Sequence, residues 1–203
     1  MYWKSTVAFL ISFLFAFLAI DVEAATFWTS TSGNGINCVN SATQPSNLAT
    51  QTSGSIEGGI NCLASGDTLY VMQGTYFEGF GSYRHPDDGR CLNTVCVPNG
   101  TPGNYTTVSA APGHERMVTV NSSGNTSLGF GGGPVNWIAV KGISFTPDRE
   151  FAGPQSSSIA FGSGCYWDPP TGAYHCKMTN SNEPAYPQNL LIENNEFYGC
   201  SMS

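Results

Sequence analysis

Short apolar runs alternate with turn-rich linkers along this chain. Thr68-Leu69-Tyr70-Val71-Met72 is the first clear run, launched by Ser65-Gly66-Asp67. Tyr105 to Ser109, Met117 to Val120, Trp137 to Phe145 and Asn189 to Phe197 follow. Each is apolar at alternate positions and rich in β-branched or aromatic residues, the pattern of a strand with one buried face. Gly74-Thr75-Tyr76 reads as a bend and Ala111-Pro112-Gly113 as a strong turn. No long stretch carries a helical period.

Two runs repeat one another. Ile138 to Phe145 lies on Leu190 to Phe197 at a constant offset, with Ile138 on Leu190, Val140 on Ile192 and Phe145 on Phe197. Gly142 and Asn194, both turn formers, coincide between them. Leu69, Val71 and Tyr76 fit the same frame, which sets Leu69 over Ile138, Val71 over Val140 and Tyr76 over Phe145. The unit is strand, sharp turn, then a short strand ending in an aromatic. One such unit cannot bury its own apolar face, and stacking units makes a continuous core. The pattern therefore predicts an all-β parallel solenoid with loops leaving at its corners. An antiparallel sandwich would show hairpin turns every 8–12 residues or so, and these linkers are longer and uneven.

Composition supports β structure with many tight turns. Charged residues are 10% of the chain, against about 25% in typical domains. Gly, Asn, Ser and Thr stand in their place. Lys4 followed by the uncharged run Val7 to Ile20, with small residues around Ala24, reads as an export signal over residues 1–24. Asp21 and Glu23 end the apolar run before it reaches the roughly 20 residues of a spanning helix. The mature chain, from residue 25, is expected to be secreted, extracellular and without a membrane span. Removing the signal changes the net charge from −7 to −6, since Lys4, Asp21 and Glu23 leave with it. Such a surface repels phosphate backbones, so nucleic acid is excluded as a partner class.

The chain holds 7 Cys, and export implies disulfides. Spacing suggests Cys91–Cys96 and Cys165–Cys176 as loop staples and Cys38–Cys62 as a tie at the start of the fold. Sequence alone does not decide connectivity. Cys200 is left over. There is no C-x-x-C pair, and His175 beside Cys176 is a poor zinc motif, so no metal is assigned. Sequons at Asn99, Asn104, Asn121 and Asn125 read as chance matches in an Asn- and Thr-rich chain.

Several segments resemble the exported right-handed parallel β-helix proteins of the pectin-lyase-like superfamily. An aromatic strand leads to Ser32-Gly33-Asn34-Gly35, then Cys38 and Cys62 flank a short helical cap. Gly66-Asp67-Thr68-Leu69-Tyr70-Val71-Met72-Gln73-Gly74-Thr75-Tyr76 matches a characteristic signature, and Val108 to Gly113 and Ile138 to Phe145 match later ones. The resemblance covers most of Phe27 to Phe197. It implies a right-handed β-helix with an N-terminal cap, of which residues 25–203 form the N-terminal portion. It implies a protein that acts on or binds an extracellular polysaccharide or cell-surface glycan, as a lyase or glycosidase does. The alternative is a non-catalytic structural or adhesin-type β-helix, since the superfamily includes both. Lyases of this kind use Lys or Arg with Ca²⁺, so Ca²⁺ is implied by resemblance only.

Two long excursions separate the runs, one from Gly79 to about Asn104 and one from Pro147 to Pro187. Tyr83, Tyr166, Trp167 and Tyr174 within them are candidate sugar-stacking residues, because an aromatic ring offers an apolar face. Asp87 and Asp88 with Arg84 and Arg90, and Asp148 and Glu150 with Arg149, are the charged clusters that a lyase would need. Neither matches a catalytic motif, and no catalytic residue is assigned. His85, His114 and His175 have no visible partner in the sequence. In the superfamily the active site generally sits on middle coils, which places any chemistry beyond this stretch.

Overall fold

The computed structural model describes residues 23–84, 91, 95–122, 127–131, 134–147, 159–162, 165–168, 173–176 and 188–198. For Tyr83 and the strands between residues 159 and 176 it describes the backbone alone. The expected signal lies almost wholly outside the described residues.

Strands dominate. Five of them, β1 (Thr26–Thr29), β2 (Thr68–Val71), β5 (Thr106–Ala110), β8 (Asn136–Lys141) and β13 (Gln188–Glu193), form the first sheet in that spatial order. β3 (Gly74–Tyr76), β6 (Val118–Ser122), β9 (Ile143–Pro147) and β14 (Glu196–Phe197) form the second. β4 (Phe80–Tyr83), β7 (Leu128–Gly131) and β10 (Ile159–Gly162) form the third. Every pairing in these three sheets is parallel. An antiparallel sandwich does not describe them. The chain visits first, second and third sheet in rotation, and each circuit lies beside the one before. A small antiparallel ribbon, β11 (Cys165–Asp168) with β12 (Ala173–Cys176), stands apart.

Register explains the core. Phe27, Leu69, Val108, Val140 and Ile192 occupy one column across the first sheet. Tyr76, Val120, Phe145 and Phe197 occupy one across the second, where the last two rings stack with centroids 5.2 Å apart. Phe80, Leu128 and Ile159 occupy one across the third. The side chains of Leu69, Val108, Val120, Val140, Leu128 and Phe145 are fully buried. Strand alternation sends their neighbours outward, so three columns face one another around a single apolar cluster.

The expected pairs Ile138–Leu190, Val140–Ile192 and Phe145–Phe197 stand in register. Gly142 and Asn194 both take positive φ, 70° and 55°, at the same corner. Asn195 clips that corner, donating to the Val140 carbonyl (2.7 Å) and accepting from the Ile143 amide (2.9 Å). Tyr76 reaches the column of Phe145 as expected, but Leu69 does not lie over Ile138. It stacks through Val108 on Val140, two positions along. The reason is the corner between β2 and β3, where Met72 and Gln73 add two residues that the Gly142 corner lacks. Gly74-Thr75-Tyr76 is also a strand rather than a bend, paired with Val118 to Val120.

The third sheet runs through segments that the sequence presents as excursions and linkers. Phe80-Gly81-Ser82-Tyr83 and Leu128-Gly129-Phe130-Gly131 alternate large and minimal residues. A Cβ on Gly81 would collide with the Gly129 carbonyl, so glycine here permits close backbone approach. Tyr83 and Arg84 are therefore at the end of a strand, not in a loop.

The start of the fold is closed by two short helices, α1 (Leu48–Gln51) and α2 (Ile56–Ile60), lying between the bonded Cys38 and Cys62. Ser55 caps α2 by accepting from the Gly58 amide (2.9 Å). Glu78 adds a second cap from a distant segment, accepting from the Ile56 and Glu57 amides at 2.7 and 2.9 Å. Trp28 packs on Tyr70 (5.0 Å), Met72 and Ala111 to cover the outer side of the first sheet.

Two outcomes follow from this packing. Leu69→Ala should lower unfolding free energy by about 2–5 kcal/mol, whereas the outward Thr107→Ala should stay within about 0.5 kcal/mol; denaturant titration checks both. Burial pushes the Glu78 carboxyl above its ordinary range, with the Glu57 and Ile56 amides pulling the other way. Its folded value exceeds the unfolded one, so its contribution is full in acid and is lost as pH rises through the raised value. Thermal melts from about pH 3 to pH 7 should show Glu78→Ala costing most at the acid end.

Candidate functional site

The second sheet turns a polar face outward. Thr75, Thr119, Ser144 and Glu196 share one register column there. Asn121 and Thr146, also paired, start the next. Phe77 follows the inward Tyr76 and Tyr198 follows the inward Phe197, so alternation carries both rings to the outside. Phe77 is 74% exposed and Tyr198 50%. The Tyr198 amide donates to the Phe145 carbonyl (2.9 Å), which extends the ladder to that residue. One aromatic thus stands just past the first strand of this sheet and one just past the last. Parallel strands lie about 4.8 Å apart, so the face between them is about 14 Å wide.

A charged cluster closes the Tyr198 end. Arg116 takes positive φ (61°) at the turn before β6 and sets its guanidinium 3.4 Å from Glu196 Oε1 and 3.0 Å from Asn194 Oδ1. Tyr198 donates to Glu196 Oε2 (2.7 Å), and Ser144 donates to the same oxygen (3.1 Å). The Tyr198 bond, with Ser144 and the Arg116 charge, holds the Glu196 carboxyl below the ordinary glutamate range. The same bond and the Glu196 charge push the Tyr198 hydroxyl up. The geometry of Glu196 suits holding the Tyr198 ring in place.

Charge near this face is balanced within the protein. Lys141 lies 3.0 Å from Glu193, just round the corner from the Arg116–Glu196 pair. Arg84, on the third sheet, donates to Ser82 Oγ and to the Val97 carbonyl, both at 3.0 Å. Burial pulls the Arg84 guanidinium below its ordinary value. His114 accepts from the Gln73 amide (3.1 Å) at the same corner. Among the described residues no three His, Cys, Asp or Glu side chains come together as a metal would need.

The residues singled out from sequence fall elsewhere. Tyr83 is on β4 of the third sheet, opposite Gly131. Tyr166, Trp167 and Tyr174 are on the ribbon, where Tyr166 pairs with His175 and Trp167 with Tyr174. Their side chains lie outside the description. Cys91 and Cys96 are bonded to each other. Cys165 and Cys176 stand directly opposite in the ribbon, with any bond between them outside the description. His85, Asp87, Asp88, Arg90, Asp148, Arg149, Glu150 and Cys200 all lie outside the described residues. Phe77 and Tyr198 escaped notice, although each is the second member of an aromatic pair at one place in the repeat. No family model, no curated protein and no solved structure matches this chain.

Replacing Glu196 by Gln removes the charge that disfavours the Tyr198 phenolate. An ultraviolet pH titration should then show one tyrosine ionising at lower pH than in the unaltered protein.

Proposed function

We propose that this chain is an exported, right-handed parallel β-helix of the pectin-lyase-like kind whose second sheet binds an extracellular polysaccharide along its outer face. The rotation of the chain through three parallel sheets supports the helix. The two disulfides suit an oxidising compartment, and no helix among the described residues is long and apolar enough to cross a membrane.

The observation that carries the binding reading is the pair of exposed rings, Phe77 and Tyr198, on either side of a face that presents the Thr75 and Thr119 hydroxyls. Sugar rings present apolar C–H faces and polar edges. Aromatics take the first and hydroxyls or amides the second. Two platforms about 14 Å apart suit an extended chain rather than a single sugar. The described cations beside the face are each tied to a glutamate, and the chain is acidic overall. That balance favours a glycan of low charge over a polyuronate.

Affinity electrophoresis against soluble neutral and acidic polysaccharides tests this. A neutral polysaccharide should retard the protein, and Phe77→Ala or Tyr198→Ala should weaken retention about tenfold. Retention by polyuronates alone overturns the low-charge ligand. No retention by any glycan leaves the structural or adhesive role.

A further inference from the structure

Asp67 is 7% exposed, yet among the described residues no cationic side chain reaches it. Its two oxygens accept only backbone amides: Ala25 on Oδ1 at 2.8 Å and Ala64 on Oδ2 at 2.7 Å. Carboxylates this enclosed ordinarily sit against a positive charge. The segment leading to Ala25 is open, with Glu23 and Ala24 both exposed. Ala25 itself is half-buried against the core, and its carbonyl accepts from the Thr68 amide (2.9 Å).

The sequence pattern predicts the cut of the export signal between Ala24 and Ala25. We propose that this cut supplies the missing cation: the new α-ammonium of Ala25 forms an ion pair with Asp67 and locks the first sheet. The inference rests on the export reading and is independent of any ligand. Water, delivered by a leader-processing protease, breaks the amide bond between the Ala24 carbonyl carbon and the Ala25 nitrogen. The water oxygen stays on Ala24 as part of a carboxylate that leaves with the leader. The Ala25 nitrogen takes up protons and becomes the ammonium. A single neutral donor at 2.8 Å from Asp67 is thereby replaced by a charged one at the same place, and charge-assisted bonds are roughly twice as strong as neutral ones.

The position of Asp67 gives this pair its reach. Asp67 opens β2, its carbonyl accepts from the Thr107 amide on β5 (2.9 Å), and its carboxylate holds the residue before β1. Gly66 beside it donates to Thr106 Oγ1 (2.9 Å). One ion pair therefore tightens three adjacent strands at their common edge. The unprocessed chain has the same contacts but not the charge, so it is the looser form during export.

The test compares the exported protein with a variant carrying an inserted Gly-Ser between leader and Ala25, which leaves a neutral amide at Ala25 after the same export. Intact-mass analysis should give a mature terminus at Ala25. Tm should fall by about 3–5 °C in the extended variant, and the gap should close when both carry Asp67→Asn. A terminus elsewhere overturns both the export cut and this inference. A terminus at Ala25 with equal Tm values, or a gap that survives Asp67→Asn, overturns the inference alone. If Asp67→Asn does not accumulate, acylation of the Ala25 amine decides. The folded protein should react about tenfold more slowly than the denatured one, and equal rates overturn the pairing.

Discussion

In-register stacking of like residues is the constraint on which this structure depends. Each inward side chain of one circuit rests on an apolar side chain of the next, as Leu69 rests on Val108 and Val108 on Val140. Parallel pairing at about 4.8 Å leaves no room for a shift of one residue, because that shift would turn every column to the solvent. The corners carry no such demand. Corners of different length join the same two sheets at Met72-Gln73 and at Gly142, and the columns remain aligned across both. Strict strands and free corners together let the chain keep one core while its outer features vary.

This division explains which parts of the fold are legible in the sequence. Ile138 to Phe145 and Leu190 to Phe197 share both strand pattern and corner length, so direct alignment finds their true register. Leu69 and Val71 belong to the same columns but precede a longer corner, and alignment through Tyr76 misplaces them by two positions. The third sheet is harder to see for a different reason. Glycine fills the positions between its inward residues, as at Gly81 and Gly129. Glycine ordinarily signals a turn, and here it marks strands whose outer faces are bare. The alternation Phe80-Gly81-Ser82 and Leu128-Gly129-Phe130 is a period-two pattern all the same.

The outward face is less legible than the core because its features rest on single positions. Loop aromatics attract notice by their number, as with Tyr166, Trp167 and Tyr174. Phe77 and Tyr198 are single residues placed by the repeat. Their meaning appears only when Tyr76 and Phe197 are known to share a column, since the next residue of each must then point outward on the same sheet. Glu196 is legible in the same way only through Ser144 and Arg116, which come from two earlier circuits. Residues far apart in the chain become neighbours at a corner, and no local motif announces them.

The first circuit poses a problem that later ones do not, since among the described residues its outer edge has no earlier strand to pair with. An uncovered edge invites pairing with another chain. Here α2 closes the core above β1 through Ile56 and Ile60, Ser53 exchanges backbone bonds with Trp28 and Ser30, and the Cys38–Cys62 bond holds the cap down. Asp67 serves the same end from just before β2, since its carboxylate reaches the residue that precedes β1. An enclosed carboxylate is a poor choice where an apolar residue would pack. It becomes a good one where a chain terminus supplies a positive charge. Under the proposed processing, the enclosed Asp67 meets the charge that cutting after Ala24 would create.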